Sequence, residues 1–393
     1  MATESSREAF VALLVGAATV AVAASSATTS TALLLSEFDD AEFEDEDLEE
    51  GDELLYHFIP RPRPALPYYQ CDFLPYFREE LTEIGCQFHM RFSKAEIVQL
   101  TESLKLKDIT FGNRRFAPPI TALCVVLWRL ATPRRLGDMI HVFGRSRAWL
   151  SDIFKDTILF LTAQWKERLF WDSKQLTFER LQEYANATEE HLGISKVWGY
   201  IDGTHRPVAR PVDSRLQSIL YSGYTKCCCI KFQSVVTPDG IIRSLAGPFP
   251  GSTGDMRMVA DSGLGDKLVE LMGELPAEDL LYLYGDSAYV DGWGMIGAFK
   301  GKLIDHIMRD PEQRVFDREM AALRVAVEHG FGLVTKYWSF GSFRNSMKAG
   351  LSPIGSYYII SVLLTNCLSC FRGNQMADIY SMGTPDIRDY LEA

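Results

Sequence analysis

Two aspartates stand where the sequence could do chemistry. Asp202 follows the apolar run Val197 to Ile201 (VWGYI), and Asp286 follows Leu280 to Tyr284 (LLYLY), each with a glycine beside it. Short apolar runs of this kind predict buried strands, and two neighbouring buried strands deliver the acids at their ends to one sheet edge. Two carboxylates a few ångströms apart stay ionised cheaply only with a cation between them, and Mg2+ or Mn2+ prefers such oxygen ligands. A third acid, Glu328, closes a helical pattern from Phe316 to Val327, with Arg324 one turn earlier on the polar side. Singly, each has a plainer reading: Asp-Gly after a strand forms a turn, and Arg324 with Glu328 forms a surface ion pair.

The elements that would position these acids fall into two textures. From Tyr68 to about Ser195 the apolar spacing is helical. Ile120, Leu123, Leu127 and Leu130 follow the Pro118-Pro119 start signal; Leu136, Met139, Ile140 and Phe143 follow Thr132-Pro133; Trp149, Leu150, Ile153 and Phe154 repeat the spacing. These predict three short helices. Gly144 suits the end of the second and Ser146 the start of the third, a join of the helix-turn-helix kind over 119–158. Arg145, Arg147, Ser151 and Lys155 lie off the apolar stripe, and Arg129, Arg134 and Arg135 add positive charge nearby. This is either a DNA-contacting surface or the solvated face of a three-helix bundle.

After Ser195 the runs become strand-like. Val197 to Ile201, then Cys229 to Val236 and Ile241 to Ala246 joined by the turn Thr237-Pro238-Asp239-Gly240, give a strand and a hairpin. Helical spacing returns in Met256 to Met272, before the Leu280 strand and the Phe316 helix. That order describes an α/β fold with a mixed sheet covered by helices. The expected organisation is a tail over 1–66, a helical domain over 67–195, the sheet domain over 196–372 and a C-terminal tail over 373–393.

Composition bounds the class. The chain has 393 residues and a formal charge of -12, with 47% hydrophobic and 23% charged residues, which excludes a wholly disordered, collagenous or disulfide-stapled chain. Twelve carboxylates without a base crowd residues 37–53, and residues 54–393 carry a net +1, so the body is near neutral and free to hold a basic face. The eight cysteines lack the spacing of a secreted scaffold and read as reduced thiols of an intracellular protein; Cys367 and Cys370 read as buried thiols or half of a zinc knuckle. Ala9 to Ala24 is apolar but shorter than the about 20 residues of a spanning helix, so it reads as a targeting segment or a low-complexity tail, leading into Arg61-Pro62-Arg63-Pro64. No other stretch reads as a membrane span.

Taken in order, VWGYIDGTHRPV (197–208), YSGYTKCCCIKFQSVVTPDGII (221–242), LAGPFPGSTGDMRMVADSGL (245–264), LYGDSAYV (283–290) and LRVAVEHGFGLVTKYW (323–338) resemble the PIF/Harbinger transposases and their host-domesticated nuclease relatives, of the DDE endonuclease superfamily. The resemblance covers about 190–370, with the helix-turn-helix region before it also similar. It implies a ribonuclease H-like catalytic domain with an Asp-Asp-Glu metal triad, which falls on Asp202, Asp286 and Glu328. It also implies two Mg2+ or Mn2+ ions, duplex DNA as substrate, a separate Myb-like partner, a possible homo-oligomer, and a nuclear address, or a cytoplasmic one without the partner. Two positions depart from the family pattern: Gly254 and Tyr224 stand where relatives usually have histidine.

The mechanism so implied is two-metal cleavage of a phosphodiester, with Asp202 bridging the ions. His205, Arg206, Arg210, Lys226 and Lys231 are candidate phosphate contacts, beside Arg134, Arg135, Arg145, Arg147 and Lys155 of the helical region. Two other classes stay open. One is a domesticated, catalytically weak protein that binds DNA or a partner. The other is a haloacid dehalogenase-type phosphatase, suggested by Asp202-Gly203-Thr204, although Tyr200 occupies the place of that motif's second Asp.

Overall fold

The computed structural model describes residues 73–286, 288–289, 294–297, 330–344 and 347–391. The expected acidic tail, the Phe316–Val327 helix and Glu328 lie outside these residues.

After short helical turns at Phe73–Pro75 and Tyr76–Glu80 come α1 (Glu83–Met90) and α2 (Lys94–Ser103), the latter opened by a capping box between Ser93 and Glu96. Pro119 opens α3 (Pro119–Ala131), where its missing N–H costs nothing because the first turn has no intrahelical acceptor for it. α4 (Leu136–Phe143) ends at Gly144, whose φ of 60° is the left-handed cap a side chain resists. Ser146 then caps α5 (Arg147–Phe170) by accepting from Trp149 N at 3.2 Å.

The third helix is not short. α5 runs 24 residues because its apolar face continues through Ile158, Leu161, Trp165 and Leu169. That face packs on the strand Ile242–Pro250 and on the helix Ile354–Arg372, so the helix expected to read DNA is also a core strut of the sheet region. Arg129 likewise differs from expectation: its guanidinium lies over the rings of Phe154 and Phe340, 5.1 and 5.0 Å from their centroids, as packing rather than surface charge.

After α6 (Phe178–Leu192) the sheet is built from β1 (Val197–Pro207), β2 (Tyr221–Ser222), β3 (Cys227–Val236), β4 (Ile242–Pro250), β5 (Tyr282–Gly285) and β6 (Met295–Gly297). β1 is central: β3 lies antiparallel on one side, with β4 beyond it, and β5 then β6 run parallel on the other. Short α7 (Ser214–Leu220) precedes β2. The expected single helical stretch from Met256 is two helices, α8 (Asp255–Ser262) and α9 (Leu264–Met272), divided at Gly263.

One face of the sheet shares a continuous apolar core with the helical region and α10 (Ile354–Arg372); the other packs on α6, α8 and α9. α10 is long and apolar enough to cross a membrane, contrary to the reading that only the N-terminal run comes close. Yet 89% of its most apolar window is buried inside the protein, which makes it the core helix of this fold. Cys367 is buried within it and Cys370 half-buried, both free thiols, and burial holds the Cys370 thiol up at about 12. Among the described residues no group of His, Cys, Asp and Glu is arranged to hold a metal, so the zinc reading of this pair gains no support.

The β3–β4 turn carries a buried charge cluster at the end of the sheet away from Asp286. Arg243 donates to Asp172 Oδ2 at 2.8 Å and to Asp239 Oδ2 at 2.6 Å, and Tyr184 donates to the same Asp239 oxygen at 2.7 Å. Burial pulls the Arg243 guanidinium down, but Asp239, Tyr184 and Asp172 outweigh it and hold the group charged. The residues after α10 fold back on this end: Asn366 bonds both Ile242 backbone groups and the Tyr390 hydroxyl.

Candidate active site

Asp202 and Asp286 occupy equivalent places on adjacent parallel strands. Tyr200 pairs with Tyr284, and each acid follows its tyrosine by two residues, so pleat alternation puts both on the same face. β5 ends at Gly285 while β1 continues to Pro207 along β3. Residues 201–207 of β1 therefore have β3 on one side and, among the described residues, no paired strand on the other. The acids border that notch. Each is held by a short local bond: Asp202 Oδ1 accepts from Gly203 N at 2.7 Å, and Asp286 Oδ1 from Ala288 N at 2.8 Å. Gly330, two residues after Glu328 in sequence, lies against Val236, the residue that pairs with Tyr200.

On the opposite face of β1 the missing side chain of Gly203 admits two further groups. A Cβ there would stand 3.1 Å from Asp255 Oδ1, 3.0 Å from Met258 Cε and 3.8 Å from the Tyr289 hydroxyl. Tyr289 reaches this point by lying over Gly285, where a Cβ would meet its ring at 2.6 Å, and its hydroxyl accepts from Gln233 Nε2 at 3.3 Å. Burial raises the Tyr289 pKa, the Gln233 bond opposes the rise, and the charges of Asp202, Asp255 and Asp286 add to it. Three carboxylates therefore act on one buried phenol.

The sequence reading misses Asp255 and Tyr289. Neither ends a strand, and each is brought to Gly203 by tertiary packing. Asp255 does lie within the segment that resembles the transposases, where its neighbour Gly254 drew attention instead. Asp255 opens α8, and the loop before it is fastened by Lys231, whose Nζ donates to Thr253 O at 2.7 Å.

The candidate phosphate contacts separate by environment. Lys231 is only 7% exposed, with its amine on Thr253, and Arg206 donates to Thr204 Oγ1 and lies over the Tyr358 ring at 4.7 Å. Lys226 and Arg210 are exposed. His205 is half-buried, and its pKa is lowered by burial first, then by Lys231 and Arg206, with Asp255 opposing. In the helical region Arg135, Arg145, Arg147 and Lys155 are exposed, Arg145 over the Trp149 ring. Arg134 is partly committed, bonded to Thr132 Oγ1 and to His89 Nδ1 and lying over Trp128.

Residues 201–366 match the family of DDE superfamily endonucleases. The matched segment runs from within β1 to within α10 and contains Asp202, Asp286 and Glu328. The fold is mixed α/β, a ribonuclease H-like sheet region preceded by a helical one. No curated protein and no solved structure is significantly similar to the chain. The phosphatase alternative finds no support: Tyr200, at the place of its second Asp, is buried and bonded to the Tyr380 hydroxyl at 3.0 Å.

DDE endonuclease domains generally use divalent metals. The donor set here fits such an ion in chemistry, since Asp202 and Asp286 offer only carboxylate oxygens. Among the described residues these acids are not drawn into a three-ligand cluster, and Glu328, the remaining ligand that the resemblance implies, lies outside them.

Proposed function

We propose that this protein is a metal-dependent DNA endonuclease of the transposase-derived kind, with Asp202, Asp286 and Glu328 as its triad. The observation that carries the reading is the Tyr200–Tyr284 pairing, which gives Asp202 and Asp286 equivalent positions on neighbouring strands inside the matched segment.

Asp202 and Asp286 would hold Mg2+ or Mn2+, joined by Glu328. When bound, two such ions supply Lewis-acid activation of the attacking oxygen and neutralise charge on the leaving oxygen. The chain's own part is positioning. Gly203 N and Ala288 N fix the two strand-end carboxylates, and Lys231 steadies the loop that carries Asp255. Lys226, Arg210 and the exposed arginines before and within α5 attract the phosphate backbone without reading sequence. No side chain here needs to be a nucleophile, because water or a 3′ hydroxyl attacks and the acids orient it. The PIF/Harbinger assignment, a Myb-like partner, self-association and a nuclear address belong to the same reading.

The test is nicking of linear duplex DNA with Mg2+ or Mn2+, wild type against Asp202→Ala. Metal-dependent cutting by the wild type alone supports the reading, and equal cutting by both overturns the triad. A second reading is a domesticated protein that binds DNA without cutting it, favoured by Gly254 and Tyr224 in place of the usual histidines. Binding by the wild type with no cutting under either metal selects it.

A further inference from the structure

The β2–β3 turn puts an exposed ring on the side of β1 that carries Gly203 and faces Asp255. β2 and β3 pair at Tyr221 with Cys228 and Ser222 with Cys227, which leaves residues 223–226 as a tight connection with Tyr224 in it. The turn is anchored rather than loose: Ser222 is buried, and Thr225 N donates to its Oγ at 3.4 Å. Tyr224 is nevertheless 89% exposed, so its ring is open to a ligand.

One face of that ring is already in use. It lies offset against the His205 ring, with centroids 6.0 Å apart and planes 25° from parallel, and the rest of the ring faces solvent. His205 lies on the same face of β1 as Gly203 and is within range of the Asp255 charge. The His205 Nε2 is buried without a hydrogen-bond partner. Lys226 is exposed two residues on, and Tyr221, 44% exposed, stands two residues before the turn glycine. An exposed aromatic face among cations is the arrangement by which proteins hold unpaired nucleotides: the ring stacks a base and the cations follow the backbone.

We infer that Tyr224 stacks against an unpaired nucleobase of the DNA strand being cut and so positions that strand in the site. The inference rests on the nuclease reading and deepens it by naming the form of DNA bound, a strand with at least one base free near the scissile phosphate. Stacking of this kind does not discriminate among bases, so Tyr224 would set the register of the strand and not its sequence.

The experiment uses the full chain with Ca2+ in place of Mg2+, and a duplex ending in a single-stranded flap that carries 2-aminopurine at successive positions. Fluorescence should fall on binding most strongly at one fixed offset from the point of cleavage, which is mapped in parallel with Mg2+. Tyr224→Ala should lose that quenching and bind the flap about fivefold or more weakly, while Tyr224→Trp restores both. Melting temperature checks that the variants fold, which an exposed turn residue should not disturb. Wild-type affinity and quenching in Tyr224→Ala, with wild-type nicking intact, overturn the stacking role alone. A wild type that neither binds nor nicks DNA overturns the nuclease reading and this inference together, and a wild type that binds fully paired duplex as well as the flap also overturns it.

Discussion

Gly203→Ala tests whether Asp255 belongs to the working site. The added methyl would stand 3.0 Å from Met258 Cε and 3.1 Å from Asp255 Oδ1, both tighter than ordinary contact. Met258 can yield, because Cε is the end of a flexible side chain. Asp255 has less freedom: it opens α8, where Met258 N bonds Gly254 O at 3.0 Å, and the loop before it is tied by Lys231 to Thr253. Its carboxylate must therefore turn or shift by a few tenths of an ångström. A misplacement of 1 Å costs on the order of 100-fold in rate, so a shift of a third of that corresponds to about fivefold. Stability should change little. Overpacking costs about 1–3 kcal/mol, offset in part by the roughly 0.5–1 kcal/mol that a strand gains when glycine becomes alanine. The assay is the single-turnover nicking rate at saturating metal, beside a thermal melt. Gly265→Ala in α9 is the control, since a Cβ there meets nothing within 4 Å. An unchanged rate in a folded Gly203→Ala protein would refute the placement of Asp255 in the reacting geometry.

Three further outcomes follow from the charges. Replacing Arg145 and Arg147 with glutamine should flatten the slope of log affinity against log salt by about two units, since each phosphate contact releases close to one counterion; an unchanged slope would leave the start of α5 as scaffold. Deleting residues 1–53, which include the twelve-carboxylate stretch, should raise non-specific DNA affinity most at low salt, and equal affinity at low ionic strength would reject an autoinhibitory tail. Arg243→Met should cost about 3–5 kcal/mol in denaturant unfolding, because it leaves Asp172 and Asp239 buried without their cation. A loss below about 1 kcal/mol would mean that water or Arg180 takes its place.

The sequence by itself determined the elements and the strand-end acids. Apolar runs have a period that local chemistry enforces, so VWGYI and LLYLY announced β1 and β5, and Gly144 and Ser146 marked a helix end and start where the backbone needs a left-handed residue and a side-chain acceptor. The mixed sheet, the hairpin at Asp239 and the positions of Asp202 and Asp286 were legible for the same reason. Tertiary structure decided what depends on distant neighbours. The length of α5 follows from the β4 and α10 surfaces it covers, and the packing role of Arg129 follows from Phe154 and Phe340 closing over it. The burial of α10, whose composition alone resembles a membrane span, follows from the sheet face it meets. Asp255 and Tyr289 meet at Gly203 only because Gly203 and Gly285 lack side chains, a coincidence of distant chain segments that no local pattern encodes.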